Sequence, residues 1–301
     1  MRLIVTGTRG QVARALVERA LLHDVEVAAI GRPEIDLTEP DRVEAVLAAT
    51  PGDIVINAAA YTAVDNAESE PALVMRVNRD GAAAAARGAR KSGRAFIHLS
   101  TDYVYDGKLD RPYRESDRVG PVSAYGRSKL AGERAVAMAY PQATILRTAW
   151  VYSPFGANFL TTMLRFGEAR REVAVVADQY GAPTSALDIA DGLITIARKL
   201  VDGSCDPART GIFHMTGAGE AVWADFAEEI FAEAARCGRL PVAVRRISTA
   251  EYPTPAQRPR NARLSNAKLA QIFGVSLPDW RASTRACVAR LLGASVGAVT
   301  K

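Results

Sequence analysis

The chain has 301 residues, 49% of them hydrophobic and 24% charged; this is an ordinary globular make-up, long enough for a main domain with a smaller lobe. Its 38 basic and 33 acidic residues leave a net charge of +5, but the bases are spread along the chain, which argues against a nucleic-acid partner and for an anionic small molecule. No apolar run would span a bilayer, the N-terminus lacks a signal peptide's apolar core, and Cys205, Cys237 and Cys287 are too widely spaced for a disulfide framework or zinc site, so a soluble cytoplasmic protein with no membrane partner is expected.

Residues 2–6 read as a buried strand that runs into Gly7-Thr-Arg-Gly10-Gln-Val-Ala13 and an apolar-periodic helix over residues 12–22. A strand, a glycine turn and a helix in this order suit a dinucleotide. Gly7 permits the tight turn, Gly10 lets backbone approach a pyrophosphate at the helix N-terminus, and Ala13 allows close helix-strand packing. Further strands are expected at residues 25–30, 54–57, 95–100 and 144–147, separated by helical patterns that include a long Ala-rich helix over residues 72–92. That alternation predicts an α/β fold with a doubly wound parallel (Rossmann) sheet. The second strand ends in Ile30-Gly31-Arg32, where a guanidinium suits a 2′-phosphate and an acidic residue would reject it; NADPH is therefore the expected cofactor, with NADH tolerated.

Tyr125-Gly-Arg-Ser-Lys129 places a phenol and an ammonium four residues apart on one helix face. A neighbouring ammonium would stabilise phenolate and make the phenol a better proton donor to a developing alkoxide. Thr101, at the end of the strand over residues 95–100, stands 24 residues earlier, so the two segments can converge. After Trp150, prolines and glycines break the pattern. A dinucleotide domain over residues 1–151, joined by parts of about 175–215, is expected to carry a substrate-binding lobe from the remainder of 152–292, with a tail over 293–301. His23, His98 and His214 lack metal-ligand spacing and read as structural.

With Thr101, Tyr125 and Lys129 in place the chain resembles the extended short-chain dehydrogenase/reductase family. More narrowly, it resembles the dTDP-4-dehydrorhamnose reductases through Asn57-Ala-Ala-Ala-Tyr-Thr-Ala-Val-Asp65, Ala67-Glu-Ser-Glu-Pro71, Ser100-Thr-Asp-Tyr-Val104 and Tyr125-Gly-Arg-Ser-Lys-Leu-Ala-Gly-Glu133. Arg147-Thr-Ala-Trp-Val-Tyr152, Asp178-Gln-Tyr-Gly-Ala-Pro-Thr184 and Tyr252-Pro-Thr-Pro-Ala-Gln-Arg-Pro259 extend the resemblance over nearly the whole chain. It implies that Thr101 holds a substrate carbonyl, Tyr125 is the acid, and Lys129 serves both Tyr125 and the nicotinamide ribose. It also implies that Gln11, Val12, Asp36, Leu37, Ala60, Tyr61 and Thr62 line the cofactor, and that Thr101, Asp102 and Trp150 meet a sugar nucleotide whose C4 ketone is reduced.

Arg258, and less directly Arg260, suit the diphosphate, with a solvated surface role as the alternative. Asp102 as a turn cap and Trp150 as a core residue are the structural alternatives for those positions, and for Asn78, where the resemblance implies a backbone-water anchor, the alternative is a helix-face polar group. Some relatives form dimers bridged by a cation on glutamates; the matching positions here are Ala15, Leu187 and Arg290. No metal is therefore expected, and the chain would be a monomer or a homodimer. Other functions share this framework. A non-catalytic regulatory module is opposed by the intact Thr101, Tyr125 and Lys129, and a dehydratase by Tyr103 standing where an acidic residue would follow Asp102. An epimerase with retained NAD, or a reductase of another 4-keto sugar nucleotide, uses the same residues.

Overall fold

The apolar stretches of the first half become strands because their side chains alternate between two buried faces. In the computed structural model, which describes residues 1–203 and 206–293, β1 (Arg2–Thr6), β2 (Glu26–Ile30), β3 (Ile54–Asn57), β4 (Ala95–Thr101) and β5 (Thr144–Thr148) are separated by α1 (Gln11–Ala20), α2 (Pro40–Ala49), α3 (Pro71–Met75), α4 (Ala82–Lys91) and α5 (Ala124–Ala139). There follow β6 (Val151–Tyr152), α6 (Phe159–Ala169), β7 (Glu172–Val176), β8 (Tyr180–Gly181), β9 (Thr184–Ser185), α7 (Ala186–Val201) and β10 (Gly211–His214). The described chain closes with β11 (Ala221–Val222), α8 (Trp223–Arg236), β12 (Ala243–Ile247), α9 (Ala267–Phe273) and α10 (Trp280–Leu291).

Six of these strands form one parallel sheet in the order β10-β5-β4-β3-β1-β2. Leu3, Val5, Ile54, Ile56, Ile97 and Leu99 pack on one face with Leu16 of α1 and Ile189 and Leu193 of α7. The intervening residues Ile4, Val55, Phe96 and Ile145 pack on the other with Leu47, Ala85 and Val136. Each such fully buried aliphatic side chain contributes about 1.5–3 kcal/mol, and helices on both faces make the sheet doubly wound. From β1 the chain runs outward to β2 and then crosses back to β3, so strand order reverses between β1 and β3. Ligands of open α/β sheets bind at the carboxyl ends of strands beside such a reversal.

Polar side chains stitch those ends together. The Thr6 hydroxyl donates to Asn57 Oδ1 at 2.6 Å, and Asn57 Nδ2 lies 2.9 Å from His98 Nδ1. Burial holds the His98 pKa well below the usual imidazole range, so the ring is neutral and accepts from the amide at Nδ1.

The segment over residues 72–92 differs from the single α-helix expected. It is α3 and α4 joined by a π-helical turn, Arg76–Gly81. The cause is Asn78, whose Oδ1 accepts from Tyr61 N at 2.8 Å while its Nδ2 donates to Tyr61 O at 3.1 Å and Ser128 Oγ at 2.9 Å. The widened turn lets one amide tie the loop after β3 to α5. Asn78 is thus a clamp and not a plain helix-face residue.

The expected helix over residues 12–22 ends as α at Ala20 and continues as a 3-10 turn, Leu21–His23. β4 runs one residue beyond its expected end, which makes Thr101 the last residue of a central strand. A separate core of α6, α8 and α10 with the parallel pair β7 and β12 is built around Phe226, Ile230 and Trp280. Among the described residues no helix is long and apolar enough to cross a membrane. Cys205 and the tail beyond Gly293 lie outside the described residues.

Candidate active site

Beside the strand reversal, Gly7 adopts φ 91 and its N–H donates to Ile30 O at 2.6 Å, a left-handed turn that glycine enters without a Cβ penalty. Gly10 caps α1 without a side-chain partner, a Cβ there would meet nothing within 4 Å, and the first turn of α1 carries no acidic residue. The free N–H groups of that helix end therefore remain open to an anion. They border a cavity of about 930 Å³.

Gly7, Gly10, Gln11, Val12, Ala60 and Thr62 line this cavity, as do Arg32, Asp36 and Leu37 at its outer edge. Gln11 is fixed by the Ser153 hydroxyl, which donates to its Oε1 at 2.7 Å. Arg32 is 81% exposed and its Nε stands 3.4 Å from Asp36 Oδ2, so the guanidinium that would meet a phosphate is shared with a carboxylate. Asp36 also accepts from Thr38 N and Oγ1, both at 2.9 Å, and these bonds hold its pKa below the ordinary carboxylate range. Tyr61 departs from expectation. Its side chain is not part of the lining, because the Asn78 clamp holds its backbone and its hydroxyl donates to Glu70.

At the other end, Thr101, Asp102, Tyr125, Lys129 and Trp150 line the same cavity. Thr101 pairs in register with Thr148 of β5; its hydroxyl donates to Asp102 Oδ1 at 3.0 Å and accepts from Tyr103 N at 3.2 Å. Helix α5 starts at a Ser123 cap that accepts from Gly126 N at 3.1 Å, while Ala124 N donates to Glu68 Oε1 at 2.7 Å. It lies so close to the loop after β4 that a Cβ on Gly126 would sit 2.2 Å from Tyr103 O. Glycine inside the Tyr-x-x-x-Lys segment is what brings Tyr125 to Thr101.

The electrostatics differ from the sequence-based expectation. Burial raises the Tyr125 phenol above its ordinary value, Asp102 adds to the shift, and the Thr101 hydroxyl opposes it. Lys129 is pushed down to about 8 by burial, with Glu133 acting the other way. Its Nζ donates to Leu99 O at 2.7 Å. The ammonium is held on β4, and desolvation outweighs any lowering of the phenol pKa by Lys129. Asp102 is likewise pushed up to about 7 by burial, against its bond from Thr101. Its Oδ2, and Thr148 Oγ1 nearby in the lining, are buried without a hydrogen-bond partner.

Several contributors were not singled out from the sequence. Behind Lys129, the Ser100 hydroxyl donates to Glu133 Oε1 at 2.5 Å, and Arg147 donates to Glu133 at 2.8 and 2.6 Å and to the Tyr105 hydroxyl at 2.6 Å. Glu133 follows Lys129 by one helical turn, which is a readable spacing, but its partner on β5 is not. Phe159 and Trp223 also line the cavity, and no local pattern marks them.

Arg258 is not in the lining. Its Nη2 pairs with Asp65 Oδ2 at 2.7 Å, it stands beside Tyr103, and its Nη1 is buried without a partner. Ala15 is buried in the core between α1 and α7, and Arg290 pairs with Glu18. A second cavity of about 940 Å³ opens at the β10 edge over Glu133 and Arg147 and contains neither Tyr125 nor Lys129.

A doubly wound sheet with a glycine turn at its reversal, and a Thr, Tyr and Lys gathered at the strand ends, define an oxidoreductase of the short-chain dehydrogenase/reductase kind. Residues 1–292 match the family model described as the RmlD substrate binding domain, and the chain belongs to that family. A dTDP-4-dehydrorhamnose reductase of Sinorhizobium fredii is 51% identical over 292 residues, covering 97% of this chain and 98% of the relative. The crystal structure of a dTDP-4-dehydrorhamnose reductase from Clostridium acetobutylicum has TM-score 0.89 and 35% identity, covering 97% of this chain and 99% of its own. That of the Bacillus anthracis dTDP-4-dehydrorhamnose reductase, in complex with NADP, has TM-score 0.87 and 31% identity, covering 96% and 99%.

Proposed function

We propose that this protein reduces the C4 ketone of dTDP-4-dehydro-6-deoxy-L-mannose to dTDP-L-rhamnose, with NADPH as the reductant and NADH tolerated. One observation carries the reading: Thr101, Tyr125 and Lys129 converge on the cavity that begins at the Gly7 turn. The family membership and the names of the relatives support the substrate.

The residues fit a dinucleotide. The open Gly10 turn would take the pyrophosphate, and Gln11, Val12, Leu37, Ala60 and Thr62 would contact the rest, with Arg32 at the 2′-phosphate. When bound, the nicotinamide supplies a hydride for carbon. Tyr125 delivers the proton to the carbonyl oxygen, so ketone, hydride and proton give the alcohol. The Thr101 hydroxyl would turn from Asp102 Oδ1 to donate to that oxygen, which polarises the carbonyl and fixes its geometry. Lys129, charged below about pH 8, would turn from Leu99 O to the ribose and to the phenolate that remains. Asp102, with one oxygen free, suits a sugar hydroxyl. Arg258 would exchange Asp65 for the diphosphate. The lobe drawn from residues 152–292 covers the sugar, the domain of residues 1–151 holds the cofactor, and the protein acts in the cytoplasm as a monomer or homodimer.

The test is incubation with dTDP-4-dehydro-6-deoxy-L-mannose and NADPH, with the product identified by NMR. Formation of dTDP-L-rhamnose is expected. No turnover, or a C4 epimer as the product, would reject the assignment.

A further inference from the structure

Trp150 follows Thr148, the register partner of Thr101, by two residues, and its φ is 48. A bulky residue in this left-handed region costs about 1–3 kcal/mol and persists only where neighbours over-determine it. Here two neighbours do so. The indole of Trp223 stacks on that of Trp150 with centroids 3.6 Å apart and planes at 11°, and Gly181 lies so close that a Cβ there would be 2.4 Å from Trp150 Cε2. Phe159 closes on Trp223 at 4.7 Å and 43°.

These aromatics come from separate elements. Trp150 extends from β5, Phe159 opens α6 and Trp223 opens α8, whose first turn is secured by Val222 N donating to Asp225 Oδ2 at 3.0 Å. All three line the cavity that holds Thr101 and Tyr125. An indole stack presents a rigid apolar face at little entropic cost, and the apolar side of a deoxyhexose ring, with its methyl, is the matching surface.

We infer that Trp223 is a specificity-determining residue of the sugar subsite: it contributes to the apolar wall under the 6-deoxyhexose and holds Trp150 in its strained orientation. This rests on the reductase reading above. The catalytic hydroxyls act on the carbonyl edge of the sugar, while the Trp150, Trp223 and Phe159 wall selects the side without hydroxyls.

The experiment uses Trp223→Ala, Trp223→Phe and Gly181→Ala in the full chain. The last moves Trp150 without altering Trp223, at a position where the backbone does not need glycine. Titration calorimetry with dTDP-L-rhamnose and fluorescence titration with NADPH separate the two ligands. Trp223→Ala and Gly181→Ala should each weaken dTDP-L-rhamnose about tenfold and raise the KM of the sugar nucleotide alike. NADPH should bind within about twofold of wild type, and Trp223→Phe should restore most of the loss.

Unchanged affinity for dTDP-L-rhamnose in either alanine variant, or an equal loss for NADPH, would overturn the inference. If Trp223→Ala fails to fold, Trp223→Leu, which keeps apolar volume without the indole face and should show the same loss, carries the test of Trp223, and Gly181→Ala reports on Trp150 alone. A wild-type protein that binds dTDP-L-rhamnose without turning over the ketone would instead reject the reductase reading, and the affinity comparison would still decide the wall.

Discussion

Replacing Arg147 by methionine removes one half of the buried pair behind Lys129. The two side chains are 1% and 3% exposed, and the substitution deletes bonds of 2.8 and 2.6 Å to Glu133 and one of 2.6 Å to Tyr105. Glu133 would be left with the Ser100 hydroxyl as its remaining hydrogen-bond partner. An uncompensated buried carboxylate costs about 3–5 kcal/mol, which for a chain of this size is a fall in Tm of roughly 5–8 °C. The double variant Glu133→Gln/Arg147→Met removes both charges and keeps a group for Ser100 to bond, so it should regain at least half of the loss. Urea unfolding followed by circular dichroism measures both. A single-variant loss below about 1 kcal/mol, or a double variant no more stable than the single one, would refute the view that the pair is a desolvated unit.

Tyr125→Phe should lower kcat by at least about 100-fold while NADPH still binds; near-normal turnover removes Tyr125 from the chemistry. Lys129, down from 10.5 to about 8 through burial, makes stability depend on pH. Between those values the unfolded chain binds the extra proton, so its contribution should rise with pH by about 3 kcal/mol across the window. Lys129→Met should flatten that rise, and equal pH slopes for the two proteins in urea unfolding would contradict the buried ammonium.

Arg32→Ala should lower the NADPH-to-NADH ratio of kcat/KM about fivefold, the scale of one exposed charge pair. An unchanged ratio would mean that Asp36, 3.4 Å away, keeps the guanidinium from the phosphate. Activity and oligomeric mass should be indifferent to EDTA, since Arg290 is paired with Glu18 and Ala15 is a core residue; a loss restored by magnesium would show a cation site of another composition.

The strands, the glycine turn and the Tyr125–Lys129 pair were legible in the chain because each depends on neighbours a few residues away: period-two burial, a tight turn into a helix, one helical turn of spacing. The place of Thr101 at a strand end followed from the same local patterns, whereas the order of the strands and the addition of β10 beside β5 join segments far apart in the chain. What tertiary structure decided is what one segment imposes on a distant one. Asn78 turned an α-helix into a π turn because its amide had to reach both Tyr61 and Ser128, and that clamp took the Tyr61 side chain out of the cavity. Trp223 joined Trp150 in the cavity lining because α8 begins beside that strained residue. Sequence spacing suggested that an ammonium would make Tyr125 more acidic, whereas burial raises the phenol and lowers the lysine. Spacing records which groups can meet, but the depth at which they meet sets their solvation, and solvation decides which protonation state each will hold.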